Sequence, residues 1–519
     1  VKLSSIMRTL YENIDYHKTI RRLSNRLLDI KDIDNALYNK LLVLFNSGIM
    51  DKENTFSNYG LEDIETEESR KVARQLQSSG TVLLKNTGIL PLREEGLHNV
   101  GLVGPLADEY VIDWYSGISK KHVTMKDGFK EVYDDPFVYD LLPVVKIKTG
   151  GKYIGQDEKG KIVFKGETEA SRFKVMLWDE EKITFKSLSN GKYLTMKSPL
   201  VTTLNTMEED EINITADRPF GWFVKEIFYF ADDKGNVIKF SDKNAGEFWK
   251  DDRIVSILDW KKEKVFDICL VEEKGISYDK TPDTLVCAFG PHPMINCKEE
   301  HDRKNINMPP FERNVLTKLK EMGKSVILVL LSGYPVAIDK EKEILDGILW
   351  SASGSCELGN GIWDILLGKK VPSGRLNMTW FREETHLPEI MDYKISGTHR
   401  TYMNPDKDWD EKNILYSFGY GLSYSAFEIN NVKIVDVGSG SCVYGTCLID
   451  EKTLNLIKDK KSVDSIFSNY IREFNKDKCS RYYALGNEKY ISINFTVKNI
   501  GNITADKVCL AYAYFKDKR

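Results

Sequence analysis

The segment Gly80-Thr-Val-Leu-Leu-Lys-Asn-Thr-Gly-Ile-Leu-Pro-Leu92 combines a short apolar strand, a glycine turn and a second apolar run that contains a proline. A helical pattern from about Glu65 to Gln77 precedes it, and the apolar strand Val100-Gly-Leu-Val-Gly104 follows. Helices that alternate with short buried strands are typical of α/β folds. The segment therefore predicts the beginning of an α/β domain.

The same alternation returns near Thr284. Apolar strands are predicted at Thr284–Gly290, Ser325–Ser332 and Ile344–Trp350, and helices at Val315–Met322 and Leu358–Leu367. Both parts share one pattern of strand and helix, so we expect them to form a single domain that the intervening residues interrupt.

The intervening residues, from about Val144 to Glu273, have the pattern of short alternating strands. A triplet recurs in them as Gly151-Lys-Tyr153, Gly191-Lys-Tyr193 and Gly246-Glu-Phe248. Three copies suggest threefold pseudosymmetry and predict a β-trefoil. In each copy, a glycine turn is expected to lead into an aromatic residue that fills the barrel core.

The two ends of the chain have different patterns. Residues Asp32–Met50 predict an amphipathic helix that Gly48 ends and that needs a partner surface. Strands are predicted at Phe427–Val437 and Ile491–Asn502, with a lysine-rich helical stretch between them. These strands are too few for a complete β-sandwich.

Composition excludes several classes of protein. The chain is 41% hydrophobic and 29% charged, with a formal net charge of -4 and no long block of like charge. These values are typical of a globular protein and do not favour a nucleic-acid partner. The longest apolar run, Val326–Leu331, is far shorter than the roughly 20 residues of a membrane-spanning helix, so we expect no membrane partner.

The eight cysteines form no CxxC pair, and no histidine lies at zinc-finger spacing from them. No metal site is therefore expected. Isolated thiols in apolar runs, such as Cys287 and Cys509, favour an intracellular protein. A disulfide among Cys442, Cys447 and Cys479 stays open.

Several segments, in matching order and spacing, resemble family 3 glycoside hydrolases. Asp34-Asn-Ala-Leu-Tyr-Asn39 and Asn46-Ser-Gly-Ile-Met-Asp51 are similar to the helix that closes the family's (β/α)8 barrel. The further matching segments are Gly80–Leu92, Gly101–Asp108, Glu299–Arg303, Glu357–Asn360 with Asp364–Gly368, Pro372–Leu376 and Tyr416–Tyr424.

The resemblance implies a multidomain α/β protein. Residues 1–55 would hold the closing helices of a barrel that is otherwise missing, and residues 56–140 and 279–412 the two parts of an α/β sandwich. Residues 141–278 would be a fascin-like β-trefoil inserted into the sandwich. Residues 413–519 would be a fibronectin type III-like domain that is truncated and interrupted by a helical insert.

The resemblance also implies a retaining β-glucosidase or β-xylosidase that needs no cofactor and acts on an oligosaccharide or an aryl or alkyl glycoside. Such enzymes use two carboxyl groups, one as nucleophile and one as acid/base. The family's nucleophile is an aspartate before a tryptophan in the barrel, and none of the pairs Asp113-Trp114, Asp259-Trp260 and Asp408-Trp409 has a barrel-strand context. The chain is therefore expected to be inactive without a barrel domain as partner. Homo-oligomer formation stays open.

Glu357 matches the position of the family's acid/base, in a loop just before a helix. Cys356 stands where the family usually has glutamine. The alternative interpretation is a glutamate that only stabilises the helix N-terminus. Glu300 is the second candidate for the acid/base.

Two further groups of residues are candidates for substrate binding. Glu299, Asp302 and Arg303 lie in a polar loop after a buried strand, where open α/β sheets bind ligands. Asp302 and Arg303 could instead form an ion pair that holds the loop. Asp113 and Trp114 combine a carboxylate with adjacent aromatic rings, a pattern suited to a sugar, although Trp114 is equally suited to core packing.

Two other interpretations compete with that of a glycosidase that has lost its barrel. In the first, the chain is a non-catalytic carbohydrate-binding or protein-interaction module centred on the trefoil, to which Trp249 could contribute. In the second, it is a permuted enzyme whose barrel follows Arg519. The barrel-closing helix near the start of the sequence argues against permutation.

Overall fold

The computed structural model describes residues 29–51, 58–149, 151–197, 211–221, 224–231, 250–256, 264–272, 281–299, 301–393, 400–401, 411–436, 443–444, 447–448 and 491–510. The chain divides into two compact units, Val1–Ser69 and Arg70–Arg519. Among the described residues, no helix is long and apolar enough to cross a bilayer. The same residues contain no group of three or more His, Cys, Asp or Glu side chains arranged to hold a metal ion.

Helix α1, Ile30–Asn46, belongs to the first unit and confirms the amphipathic helix predicted from the sequence. The Asp29 side chain accepts a hydrogen bond from the Lys31 amide at 3.1 Å, and the Asp32 carboxylate accepts one from the Asp29 amide at 2.9 Å. These bonds satisfy amide groups that the first helical turn leaves free. None of the α1 side chains is buried, so apolar residues such as Phe45 remain exposed.

The second unit begins with the α/β domain. Its first elements are α2 (Glu67–Gly80), which enters the second unit at Arg70, β1 (Val82–Asn86), β2 (Val100–Val103), α3 (Met125–Val132) and β3 (Phe137–Tyr139). The chain then enters the insert.

The described residues of the insert form ten strands. They are β4 (Val144–Thr149), β5 (Lys152–Gln156), β6 (Ile162–Lys165), β7 (Phe173–Leu177), β8 (Lys182–Ser187), β9 (Tyr193–Lys197), β10 (Glu211–Ala216), β11 (Phe228–Ala231), β12 (Lys250–Ser256) and β13 (Lys264–Glu272).

The α/β domain resumes after the insert. Its later elements are β14 (Thr284–Phe289), α4 (Pro310–Glu321), β15 (Ser325–Leu331), α5 (Asp339–Ile344), β16 (Gly347–Ser351) and α6 (Leu358–Leu366). The C-terminal strands are β17 (Trp380–Phe381), β18 (Ile414–Tyr416), β19 (Phe427–Asp436), β20 (Val443–Tyr444), β21 (Cys447–Leu448) and β22 (Ile491–Asn499).

A six-stranded sheet in the order β1-β16-β15-β14-β2-β3 forms the centre of the α/β domain. All neighbours are parallel except β1 and β16, which are antiparallel. Val286 and Ala288 of β14 pack into one apolar cluster, and Leu285 and Cys287 pack into the other. Because both faces of the sheet are covered, its central strands are continuous apolar runs. The prediction of one interrupted α/β domain is confirmed in this sheet.

The ten strands of the insert are antiparallel, and six of them pair in a closed circuit. The circuit runs β4-β7-β8-β11-β12-β13 and returns to β4. The hairpins β5-β6 and β9-β10 extend from it. The first and last described strands of the insert, β4 and β13, are therefore hydrogen-bonded neighbours.

The structure corrects the prediction that the triplet aromatics fill the barrel core. Gly151 and Gly191 have the expected positive φ angles of 81° and 70°. However, Tyr153 is only partly buried and Tyr193 packs into the α/β cluster, whereas Ile154 and Leu194, one residue later, enter the core of the insert. Side chains alternate along a strand, so a one-residue difference reverses the face. The third triplet and Trp249 lie outside the described residues.

The two strands predicted near the C-terminus are present as β19 and β22, and the structure shows that they pair antiparallel. The lysine-rich stretch between them lies outside the described residues. So do Cys442 and Cys479, and with them the disulfide considered from the sequence.

Gly290, which follows β14, has a φ of 147°, and a Cβ atom at this position would overlap the Leu331 carbonyl oxygen. We expect Gly290→Ala to lower the free energy of unfolding by about 3 kcal/mol, because both the backbone angle and the space exclude a side chain. Chemical denaturation measures the change. Gly96→Ala, where a Cβ would meet nothing, is the matched control. Equal stability of the two variants would contradict the prediction.

Glu312 and His292 are two buried groups near Gly290, and their shifted pKa values predict how the free energy of unfolding depends on pH. Burial raises the pKa of Glu312 from 4.5 to about 8, and burial lowers the pKa of His292 from 6.5 to about 3. As pH rises from 4.5 to 8, the unfolded chain releases the Glu312 proton that the folded chain keeps, so stability falls. As pH falls from 6.5 to 3, only the unfolded chain takes up the His292 proton, so stability falls again.

The contributions of Glu312 and His292 cancel between pH 4.5 and 6.5, which predicts a plateau there and losses on either side of up to about 1.4 kcal/mol per pH unit. Denaturant titrations across this range measure it. Glu312→Gln keeps an acceptor for the Gly290 amide, which lies 3.1 Å away, and should remove the alkaline loss. His292→Asn keeps an acceptor for the Met294 amide and should remove the acid loss. Profiles of both variants parallel to that of the unaltered chain would refute this account.

Candidate active site

The strand order reverses between β2 and β14. From this pair the chain extends to β3 on one side and to β15 and β16 on the other. Ligands of open α/β sheets bind in the crevice that such a reversal leaves beyond the carboxyl ends of the strands. Two loops leave the sheet there, residues 104–124 after β2 and residues 290–309 after β14. The first is called the β2 loop and the second the β14 loop below.

Asp113 organises the tip of the β2 loop. Its Oδ1 atom accepts hydrogen bonds from the Tyr115 amide at 2.8 Å, the Ser116 amide at 2.6 Å and the Ser116 hydroxyl at 2.8 Å. Aspartate commonly stabilises turns by bonding to the backbone two residues later. Asp113 is itself exposed, so one carboxylate both shapes the turn and faces solvent.

Tyr115 joins the two loops. Its hydroxyl donates to Oε2 of Glu299 at 2.6 Å, and 76% of its surface is exposed. The hydrogen bond to Glu299 is the main reason that the pKa of Tyr115 is raised, so the hydroxyl stays a donor at neutral pH. Tyr115 was not among the residues predicted from the sequence to bind substrate, although it stands beside Asp113 and Trp114 in the run Asp113-Trp-Tyr-Ser116.

Trp114 faces the insert. Its ring stacks on Phe220 with centroids 5.7 Å apart and an angle of 17° between the planes. It also packs against the larger apolar cluster of the α/β domain. These contacts fit the core-packing alternative for Trp114, and they leave Tyr115 as the more open ring of the adjacent pair.

Glu357 lies at the N-terminus of α6 and is 6% exposed. Its Oε1 atom forms an ion pair with the Arg70 guanidinium of α2, and its Oε2 atom accepts from the Asn360 amide group at 2.8 Å. Both carboxylate oxygens are therefore engaged. One turn later in α2, Arg74 binds Asp364 through two hydrogen bonds of 2.7 Å. Two arginine–carboxylate pairs thus join α2 to α6.

The loop that carries Glu357 contacts the β2 loop. The Tyr110 hydroxyl donates to the Gly354 carbonyl at 3.1 Å, and the Val123 amide donates to the Cys356 carbonyl at 2.9 Å. Two hydrogen bonds thus join the Glu357 loop to the β2 loop.

The remaining predicted residues lie in the β14 loop. Glu300 is outside the described residues, and Asp302 is exposed. Arg303 donates to the Pro335 carbonyl at 2.7 Å, and its guanidinium carbon lies 4.1 Å from the centre of the Tyr334 ring. No ion pair joins Arg303 to Asp302, both of which the structure describes, so the suggested ion pair is wrong. Arg303 instead anchors the end of the loop.

Comparisons with known proteins identify the family. Residues 81–424 match the model of the glycosyl hydrolase family 3 C-terminal domain. A xylan 1,4-β-xylosidase of Xylanibacter ruminicola is 25% identical over 480 residues, which are 83% of this chain and 53% of that protein. A periplasmic β-glucosidase of Salmonella typhimurium is 35% identical over 170 residues, 31% of this chain and 22% of that protein.

Among solved structures, a β-glucosidase from Kluyveromyces marxianus in complex with glucose has the same fold, with a TM-score of 0.50 and 15% identity. That match covers 80% of this chain and 57% of the yeast protein. The chain spans about half the length of this structure and of the xylosidase. The family model covers more than half of the sequence. The chain therefore belongs to glycosyl hydrolase family 3.

Proposed function

We propose that the chain is part of a retaining β-glycosidase that releases terminal, non-reducing β-D-glucose or β-D-xylose from oligosaccharides or glycosides. The contact that carries the proposal is the Tyr115–Glu299 hydrogen bond, which joins the β2 and β14 loops where the strand order reverses. The names of the two relatives, a β-xylosidase and a β-glucosidase, support this substrate class.

The acid/base is assigned by comparing the surroundings of the candidate carboxylates. A general acid must come within hydrogen-bonding distance of the glycosidic oxygen. Glu357 is buried and both of its oxygens are engaged, whereas Glu299 lies on an exposed loop beside Tyr115. The sequence favours Glu357 as acid/base, with Glu300 as its alternative. On the surroundings of these carboxylates we instead favour Glu299, and keep Glu357 and Glu300 as the alternatives. In this proposal Glu357 holds the framework of the site through Arg70.

Asp113 and Tyr115 are assigned to sugar binding. Asp113 can accept from sugar hydroxyls, and the exposed Tyr115 ring can stack on the apolar face of a pyranose. Trp114 supports both from behind through Phe220. The nucleophile is assigned to a barrel domain, which would complete the pair of carboxyl groups that retention requires.

The closed six-strand circuit with two attached hairpins supports a β-trefoil as the fold of the insert. The β19-β22 pair similarly supports a fibronectin type III-like domain at the C-terminus. In sequence, the insert lies between the β2 loop and the β14 loop, and the C-terminal strand pair follows both.

The acid/base assignment is tested in the complete protein, barrel domain included, with this chain alone as a sample expected to have negligible turnover. We expect Glu299→Gln to lower kcat for glycosides with poor leaving groups by about 10²- to 10⁴-fold, because the leaving oxygen is no longer protonated. For a dinitrophenyl glycoside, whose leaving group needs no proton, kcat/KM should fall far less, and added azide should restore the turnover that loss of the base slows in the second step.

Glu300→Gln and Glu357→Gln are the matched variants for this measurement. If either one, rather than Glu299→Gln, shows dependence on the leaving group and rescue by azide, the assignment of Glu299 is wrong. A complete protein that binds oligosaccharides without cleaving any glycoside would instead support the binding module centred on the insert.

The framework role of Glu357 predicts a change in stability. We expect Glu357→Gln to lower the free energy of unfolding by about 3 kcal/mol, because it removes the carboxylate charge that pairs with the mostly buried Arg70 guanidinium. Glu131→Gln removes an exposed partner of Arg74 and should cost less than about 1 kcal/mol. The double variant Arg70→Met, Glu357→Leu should recover most of the loss. Equal unfolding curves for the two single variants would count against a framework role.

A further inference from the structure

Besides Asp113, the β2 loop carries the carboxylate of Glu109, which binds to the insert. The Oε1 atom of Glu109 forms an ion pair with Lys186 of β8, and its Oε2 atom accepts from the Tyr193 hydroxyl of β9 at 3.0 Å. The side chain of Glu109 is 17% exposed and that of Lys186 is 24% exposed, and Tyr193 is 1% exposed. This set of three residues is called the Glu109 clamp.

The surroundings of the Glu109 clamp make its bonds strong. Hydrogen bonds to an ionised carboxylate are shorter and stronger than neutral ones, and partial burial limits screening by salt. Burial, followed by the charge of Glu109, raises the pKa of Tyr193, so its hydroxyl remains a donor. The Lys186 ammonium also lies 5.4 Å from the centre of the Tyr193 ring, which adds a cation–π contact within the clamp.

The position of the clamp links it to the site. Glu109 lies four residues before Asp113, and Trp114 stacks on Phe220 of the insert. The insert therefore fastens the stretch between Glu109 and Trp114 at both ends. Asp113 and Tyr115, to which sugar binding is assigned, lie at the second of these attachment points.

We propose that Glu109 is a positioning residue, through which the insert holds the turn of Asp113 and Tyr115 in the geometry that binds the sugar. The inference rests on the proposed function for its effect on the substrate, but not for its effect on the loop. Loss of the clamp removes binding that the substrate and the transition state share, so KM rises while kcat changes little.

The test uses the complete protein and the variants Glu109→Ala, Glu109→Gln and Lys186→Met. Lys192→Met is the matched control, because Lys192 lies in the same hairpin but forms its ion pair with Asp217 inside the insert. Amide hydrogen exchange over residues 104–119 reports on the loop, and KM and kcat for an aryl β-glycoside report on the site.

In Glu109→Ala and Lys186→Met we expect faster exchange in residues 104–119 and a KM raised about tenfold, with kcat within about twofold of the unaltered protein. Glu109→Gln keeps an acceptor for Tyr193 and should lie between Glu109→Ala and the unaltered protein. Lys192→Met should match the unaltered protein. Equal exchange in Lys186→Met and Lys192→Met, or a fall in kcat without a rise in KM, would overturn the proposal. An unaltered protein without turnover sinks the proposed function instead, and the exchange data then decide the clamp alone.

Discussion

The reversal of strand order between β2 and β14 is the constraint on which the site depends. Both strands are completely buried along their apolar runs, so their register is fixed, and the loops at their carboxyl ends must emerge side by side. Everything assigned to substrate binding lies on these two loops. The sheet thus places the site, and the contacts of Asp113, Tyr115 and Glu299 give it its local shape.

The carboxylates of this domain differ in the side chains that bind them. Glu357 and Asp364 are occupied by arginines of α2, and Glu109 by a lysine and a tyrosine of the insert. Carboxylates held in this way stabilise the framework, because each offsets the charge of a partly buried basic side chain. Glu299, which accepts from one tyrosine hydroxyl on an exposed loop, is better placed to exchange a proton with a ligand.

Much of the fold could be predicted from the sequence, because continuous apolar runs such as Ser325–Leu331 fit only a sheet covered on both faces. The loop after a buried strand likewise pointed to the β14 loop as part of the site. The ion pair between Glu357 and Arg70 could not be predicted, because the two residues are distant in sequence and meet only when α2 and α6 pack. The prediction that Tyr193 enters the core of the insert was also wrong, because a glycine turn does not determine which of the next residues points inward.

The pairing of β4 with β13 also affects how the chain folds. Without the insert's own structure, joining β3 to β14 would close a loop of more than a hundred residues, whereas a folded insert brings both connections to neighbouring points. Loop-closure entropy grows with the logarithm of loop length, so this shortcut lowers the entropic cost of assembling the sheet by about 2 kcal/mol. Once the insert has folded, the strands on either side of it are close together, as if a short loop joined them. The central sheet can then form around a module that has already folded.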